Sequence, residues 1–118
     1  MRESNIIAGM SRGGPYSHAV KSESNIYISG QTGLNSSNRT DFASQFDRSI
    51  ENISMILRAY GKTASEISKL TVFLKRKDDF TEMNSLFAKH FPANPPARTT
   101  IVCSFVNDDV LVELDAIV

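Results

Sequence analysis

From Asp41 to Gly61 the apolar residues Phe42, Phe46, Ile50, Ile53, Leu57 and Tyr60 recur at steps of three and four, the period of one face of an α-helix. Thr40 or Asp41 stands where an N-cap would, and Gly61 stands just past the end, where helices favour a left-handed residue. The spacing predicts an amphipathic helix. From Glu66 to Lys75 the period drops to two, with Leu70, Val72 and Leu74 on one side and Lys69, Thr71, Phe73 and Lys75 on the other, which predicts a strand. Asp78 and Asp79 then offer N-terminal negative charge to a second helix on which Phe80, Met83, Phe87 and His90 or Phe91 share a face. Pro92, Pro95 and Pro96 end it.

The flanks read as strands. Ile6-Ile7-Ala8 and Ile26-Tyr27-Ile28 are short apolar runs separated by a turn at Gly13-Gly14-Pro15, so Tyr16 falls on a loop. A second break covers Gly33 to Thr40, and a further short strand near Gly33 stays open. The last stretch predicts strands over Arg98–Phe105 and Val110–Val118, joined as a hairpin through Asn107-Asp108-Asp109. The resulting order, β-β-α-β-α-β-β, suits an α+β sandwich with both helices on one face of a mixed sheet.

The chain of 118 residues, 41% of them apolar, is read as one domain over 1–118, long enough to bury a core without disulfides. Thirteen basic residues balance thirteen acidic ones, which leaves no surplus charge to bind a nucleic-acid backbone or an anionic membrane. No apolar run approaches the roughly 18 residues of a membrane span, and Met1–Met10 lacks a signal peptide's apolar core. With one cysteine, Cys103, the expected setting is the cytoplasm.

Candidate chemistry concentrates at the C-terminal end. In the last strand Val110, Val112, Leu114, Ala116 and Val118 form an apolar face, opposite Leu111, Glu113, Asp115 and Ile117. Alternation in the preceding strand sends Thr99, Ile101, Cys103 and Phe105 to the core and puts Arg98, Thr100 and Val102 on the other side. If the two strands pair, Arg98 and Thr100 share a face with Glu113 and Asp115. This grouping is either a solvated cross-strand salt bridge or an anion-binding arginine beside a carboxylate that handles water and protons. Leu111, Val102 and Ile117 on that face argue for a covering layer, and with both helices committed elsewhere the layer would be another subunit.

Other groups carry less. His18 and His90 share no ligand spacing, so no metal site is expected; they read as loop and helix-surface packing. Cys103, on the expected core face, would be inert. Lys75-Arg76-Lys77 is offset by Asp78 and Asp79, and no Gly-rich phosphate loop is present.

Several stretches resemble a known family: Gly14-Pro15-Tyr16-Ser17-His18-Ala19-Val20, Ile28-Ser29-Gly30-Gln31-Thr32-Gly33-Leu34, and Pro96-Ala97-Arg98 followed by Val112-Glu113-Leu114. In this order, over nearly the whole chain, they resemble the RidA family, also called the YjgF/YER057c/UK114 family. The resemblance implies a chorismate-mutase-like fold, a mixed sheet with two helices on one face, and a homotrimer built around a central barrel with active sites between subunits. It also implies cofactor-free hydrolysis of 2-imino acids such as 2-iminobutanoate and 2-iminopropanoate to 2-oxo acids and ammonia. By the resemblance Arg98 would grip the substrate carboxylate and Glu113 would position water. Tyr16, Ser29, Gly30 and Asn84 would border the pocket, and Thr100 stands where many relatives carry cysteine. Arg12 is unusual for the family near the cleft; it reads either as a modifier of substrate choice or as a solvated loop residue. Two other functions attach to such chains, a ribonuclease or translation inhibitor and a non-catalytic trimer that binds small carboxylates. The neutral charge, without a basic stripe studded with aromatics, disfavours the first.

Overall fold

The structure, a computed structural model, describes residues 2–118. Six strands and two helices follow in the order β1 (Arg2–Asn5), β2 (Ala19–Ser22), β3 (Asn25–Thr32), α1 (Phe42–Arg58), β4 (Lys69–Leu74), α2 (Phe80–His90), β5 (Ala97–Val102) and β6 (Val112–Ile117). They form one sheet in the spatial order β1-β2-β3-β6-β4-β5. The α+β architecture agrees with the sequence reading.

Helix α1 forms as its periodicity predicts. Asp41 is the N-cap, accepting the Ser44 N–H at 3.1 Å, and Gly61 follows the last turn at φ +67°, a conformation that favours glycine. Its apolar stripe, with Phe46, Ile53, Ile56 and Leu57 at 0% exposure, packs over β3 and β6 and shares one core with Ile28, Val112 and Leu114 and with Leu70, Val72 and Leu74 of β4. Burial of each such side chain stabilises the fold by about 1.5–3 kcal/mol. Helix α2 adds Met83, Leu86 and Phe87 to the same layer. Its acidic lead-in does not cap it: Asp79 is buried and pairs with Arg76, with Nη2 and Oδ1 3.1 Å apart.

The connection of the last two strands departs from the expected hairpin. β5 pairs in parallel with β4 at the sheet edge, whereas β6 lies between β3 and β4, antiparallel to both. The reason is physical. β4-α2-β5 is a strand-helix-strand unit, and a helical crossover returns the chain in the same direction. β3-α1-β4 is a second such unit, split so that β6 fills the gap. β6, apolar along one whole side, takes the buried centre; β5, with Arg98, Thr99 and Thr100, goes to the edge, where charged and polar residues are tolerated.

Three smaller departures occur. The first strand is Arg2–Asn5, with Ile6 exposed beyond it, and Ala19–Ser22 forms a strand that its mixed pattern did not signal. Near Gly33 there is no separate strand, because β3 itself runs to Thr32 through an irregularity between Ile28 and Gln31.

Two loops are tied to α1 by buried amides. Gln45, at 0% exposure, donates to the Asn38 and Asp109 carbonyls, both at 3.0 Å, and accepts the Leu111 N–H at 2.8 Å. Asn38 donates to the Gly33 carbonyl at 2.9 Å and accepts the Asn35 N–H at 2.7 Å. A Cβ on Gly33 would meet the Gln45 carbonyl oxygen and come within 2.7 Å of Arg48 Cβ, so glycine permits the close approach of β3 and α1. Replacing Gln45 with Leu keeps the volume but strands three backbone groups. Urea unfolding should show a loss of about 3 kcal/mol; a midpoint equal to wild type would mean that these bonds contribute nothing.

Candidate active-site cleft

The helices cover one face of the sheet and leave the other open. On the open face β6 presents Glu113 and Asp115, β4 presents Lys69, Thr71 and Phe73, and β5 presents Thr99 and Ile101. A cleft of about 830 Å³ runs from this face around the end of β3, lined among others by Tyr16, Gly30, Phe73, Cys103 and Glu113.

The wall between β1 and β2 is held in place by hydrogen bonds. Buried His18 accepts the Ile7 N–H at Nδ1, 2.8 Å away, which leaves Nε2 as the donor to the Ser11 carbonyl at 3.1 Å. The Tyr16 hydroxyl accepts the Gly13 N–H at 3.0 Å, and Arg12 Nη1 donates to the Tyr16 carbonyl at 3.0 Å. Ser29 does not present its hydroxyl to the cleft; it donates to the Ser17 carbonyl at 2.7 Å and ties β3 to this wall. Gly30 lies against Glu113: a Cβ there would come within 2.8 Å of the carboxyl carbon, so glycine leaves room for the side chain.

Glu113 is half-buried, and burial pushes its pKa above the usual carboxylate value, with the Asp115 charge two residues along the same face adding to the rise. The raised direction brings a carboxyl nearer to neutrality, where it can both take and return a proton.

Arg98 and Thr100 lie elsewhere, against expectation. In register they sit beside Leu70 and Val72, so they face the helices, on the side of the sheet opposite Glu113 and Asp115. The Arg98 guanidinium stands 4.8 Å from the Phe87 ring centroid and 5.9 Å from that of Phe80, with Nη1 3.5 Å from Met83 Sδ. Asn84 is exposed on α2, between Phe80 and Phe87 on one helical stripe. One chain therefore holds the expected site residues in two separate groups, Tyr16, Gly30 and Glu113 in the cleft and Arg98, Thr100 and Asn84 at the α2-β5 edge. The error came from the assumed hairpin: inserting β4 between the strands changes which alternation set of β5 faces the core.

The same change moves Cys103, Ile101 and Val102. Cys103 and Ile101 leave the expected core for the open side, where Cys103 lines the cleft, and Val102 joins the helix side as a partner of Leu74. Arg48, Asn52 and Phe73 also line the cleft and were not singled out. For Phe73 a signal existed, a large aromatic among Lys69, Thr71 and Lys75; Arg48 and Asn52 carried none, as polar helix residues that only the fold brings to the carbonyls of Gly33 and Thr32 at the end of β3. Among the described residues no group of three or more His, Cys, Asp or Glu side chains could hold a metal ion.

The raised Glu113 pKa has a stability consequence with a definite sign. Between its unfolded and folded values the native state binds more protons than the unfolded state, so this group's contribution is present at acid pH and is lost as pH rises through the folded value. Glu113→Gln should therefore raise Tm relative to wild type at pH 8, and the gap should close at pH 4. Equal Tm differences at both pH values would contradict the raised pKa.

Comparison with known proteins extends the geometry. The family model described as Endoribonuclease L-PSP matches residues 8–118. A RutC family protein of Pyrococcus horikoshii is 36% identical over 108 residues, covering 88% of this chain and 86% of that protein. Reactive Intermediate Deaminase A, chloroplastic, of Arabidopsis thaliana is 32% identical over 108 residues, covering 88% of this chain and 58% of that one. Among solved structures, RidA from the Antarctic bacterium Psychrobacter superposes with a TM-score of 0.83 at 31% identity, covering 92% of this chain and 90% of that one. Similar proteins include ones named mitochondrial and chloroplastic, and in this chain no described helix is long and apolar enough to cross a membrane. With the family model running through both groups of residues, this chain belongs to the Endoribonuclease L-PSP family, which embraces the YjgF, RutC and RidA proteins.

Proposed function

We propose that this protein hydrolyses reactive 2-imino acids, such as 2-iminobutanoate and 2-iminopropanoate, to 2-oxo acids and ammonia, in a homotrimer whose sites form between subunits. The observation that carries the proposal is the division of the chemistry. An arginine without a carboxylate partner among the described residues stands on an aromatic shelf at the sheet edge, and a carboxyl with a raised pKa stands in an open cleft on the other face. Neither half makes a pocket for an imino acid alone. A neighbouring chain that lays its α2-β5 edge against the cleft would bring both to one substrate and cover exposed Ile101, Val102 and Val106. The relative named Reactive Intermediate Deaminase A supports the reaction class.

The steps are those of C=N hydrolysis. Arg98 grips the substrate carboxylate through two parallel N–H bonds and fixes the adjacent imine carbon. Glu113 accepts a proton from water as the oxygen bonds to that carbon and the C=N electron pair moves to nitrogen. With the imine entering as its iminium, Glu113 then returns the proton to the carbinolamine nitrogen, takes up the hydroxyl proton as the C–N bond breaks and the carbonyl forms, and passes it to the departing ammonia, which leaves as ammonium. Positioning and one proton-handling carboxyl account for these steps.

Two outcomes test this reading. With 2-iminobutanoate generated by a threonine dehydratase and free imine trapped by semicarbazide, Arg98→Ala and Glu113→Gln should each lose imine consumption by about 100-fold or more. When the two inactive variants are unfolded, mixed and refolded together, about a quarter of the intersubunit sites in random trimers combine a wild-type Arg98 with a wild-type Glu113. Activity should return in proportion; no recovery in trimers shown to be mixed would place both residues in one chain's site and sink the shared-site model. For wild type, the acid limb of the kcat/KM profile should lie above the ordinary glutamate pKa of about 4.3, because the base form of Glu113 is needed for attack. A limb at or below that value would remove Glu113 from the base role.

A further inference from the structure

The cleft contains two cations that the hydrolysis above does not use. Arg12, on the loop before Tyr16, and Arg48, on the side of α1 next to the end of β3, both line it, and among the described residues Glu113 is the only acid that does. Neither arginine forms a salt bridge among the described residues. Each is steered by a backbone carbonyl: Arg12 Nη1 donates to the Tyr16 oxygen at 3.0 Å, and Arg48 Nε donates to the Gly33 oxygen at 2.9 Å. Both bonds leave further guanidinium N–H groups free. Arg12 meets the cleft beside Tyr16 and Arg48 beside Gly33, whereas Glu113 lies against Gly30 and in register with Phe73.

We infer that the cleft selects 2-imino acids bearing a second carboxylate on a short side chain, with Arg12 and Arg48 receiving that distal anion. The inference rests on the hydrolytic reading and extends it to a substrate class. Guanidinium groups already oriented by backbone carbonyls lose less freedom on gripping a carboxylate than free ones would. A substrate with an uncharged side chain leaves both cations without a partner. A dicarboxylate places its imine carbon at the Glu113 end and its second charge at the arginine end, so the two chemistries do not interfere.

The test compares 2-iminosuccinate, made from aspartate by an amino-acid oxidase, with 2-iminopropanoate, made from alanine, both followed by semicarbazide trapping. Wild type should favour the dicarboxylate in kcat/KM by about tenfold or more at low salt, and the preference should shrink as ionic strength rises. Arg12→Gln and Arg48→Gln should each lower that ratio, chiefly through the KM of the dicarboxylate. A wild-type ratio near one, or a ratio unchanged in both variants, overturns the inference and leaves the hydrolytic reading standing. Calorimetric titration with oxaloacetate and with pyruvate reads the anion site without turnover. If neither imine is consumed faster than in protein-free controls, the hydrolytic reading fails. In that event tighter oxaloacetate binding, lost in Arg12→Gln, keeps the distal-anion site, and equal binding of the two oxo acids removes it.

Discussion

Side-chain alternation along β6, held between β3 and β4 under a helix layer on one face only, is the constraint from which the rest follows. Its period of two sends Val112, Leu114 and Ala116 into the core and leaves Glu113 and Asp115 no place but the open face. A slip of one residue would bury both carboxyls beneath α1 and expose the apolar row, so the register is strongly specified. The same alternation raises the Glu113 pKa, by setting it half-buried and on one face with Asp115. The placement of the carboxyl is thus a by-product of core packing: Glu113 is positioned by its apolar neighbours in sequence.

Buried polar groups convert that sheet into a shaped cleft. Gln45 reaches from α1 to the loop before β6 and, with Asn38, to the loop after β3, while His18 fastens the segment that carries Arg12 and Tyr16. Each bond satisfies a backbone group that would otherwise be stranded at a loop, which is why irregular chain can line a cleft and still be fixed. Gly30 and Gly33 contribute by absence, the first leaving room for Glu113 and the second letting β3 meet α1.

The placement of Arg98 gives the fold its incompleteness. On an edge strand, held over Phe87 and away from Glu113, it is half-buried at the α2-β5 edge. Edge strands and one-sided sheets are where chains of this size meet other chains. Within one chain Arg98 and Glu113 cannot meet, since no rotamer of Arg98 passes through the sheet to Glu113; under the proposed function, assembly would be a condition of activity.

Local patterns in the chain were sufficient for much of this. The period of Phe42 to Tyr60 specified α1 together with its Asp41 cap and its Gly61 stop, and the alternation of β4 and β6 identified their core sides, because these depend on neighbours within a few residues. The family motifs marked Arg98, Glu113, Tyr16 and Gly30 as residues of interest. Which strands lie side by side was not local. The loop at Asn107-Asp108-Asp109 has turn chemistry, yet β6 crosses β4 because only a central position buries its apolar side, and that is decided by competition among all the strands for the core. Once β4 stood between β5 and β6, Arg98 and Glu113 parted to opposite faces, Cys103 left the core for the cleft, and Arg12 and Arg48, distant in sequence, came to line one cavity. Periodicity determines which way a side chain points within its own strand; only packing of the whole chain decides what it points at.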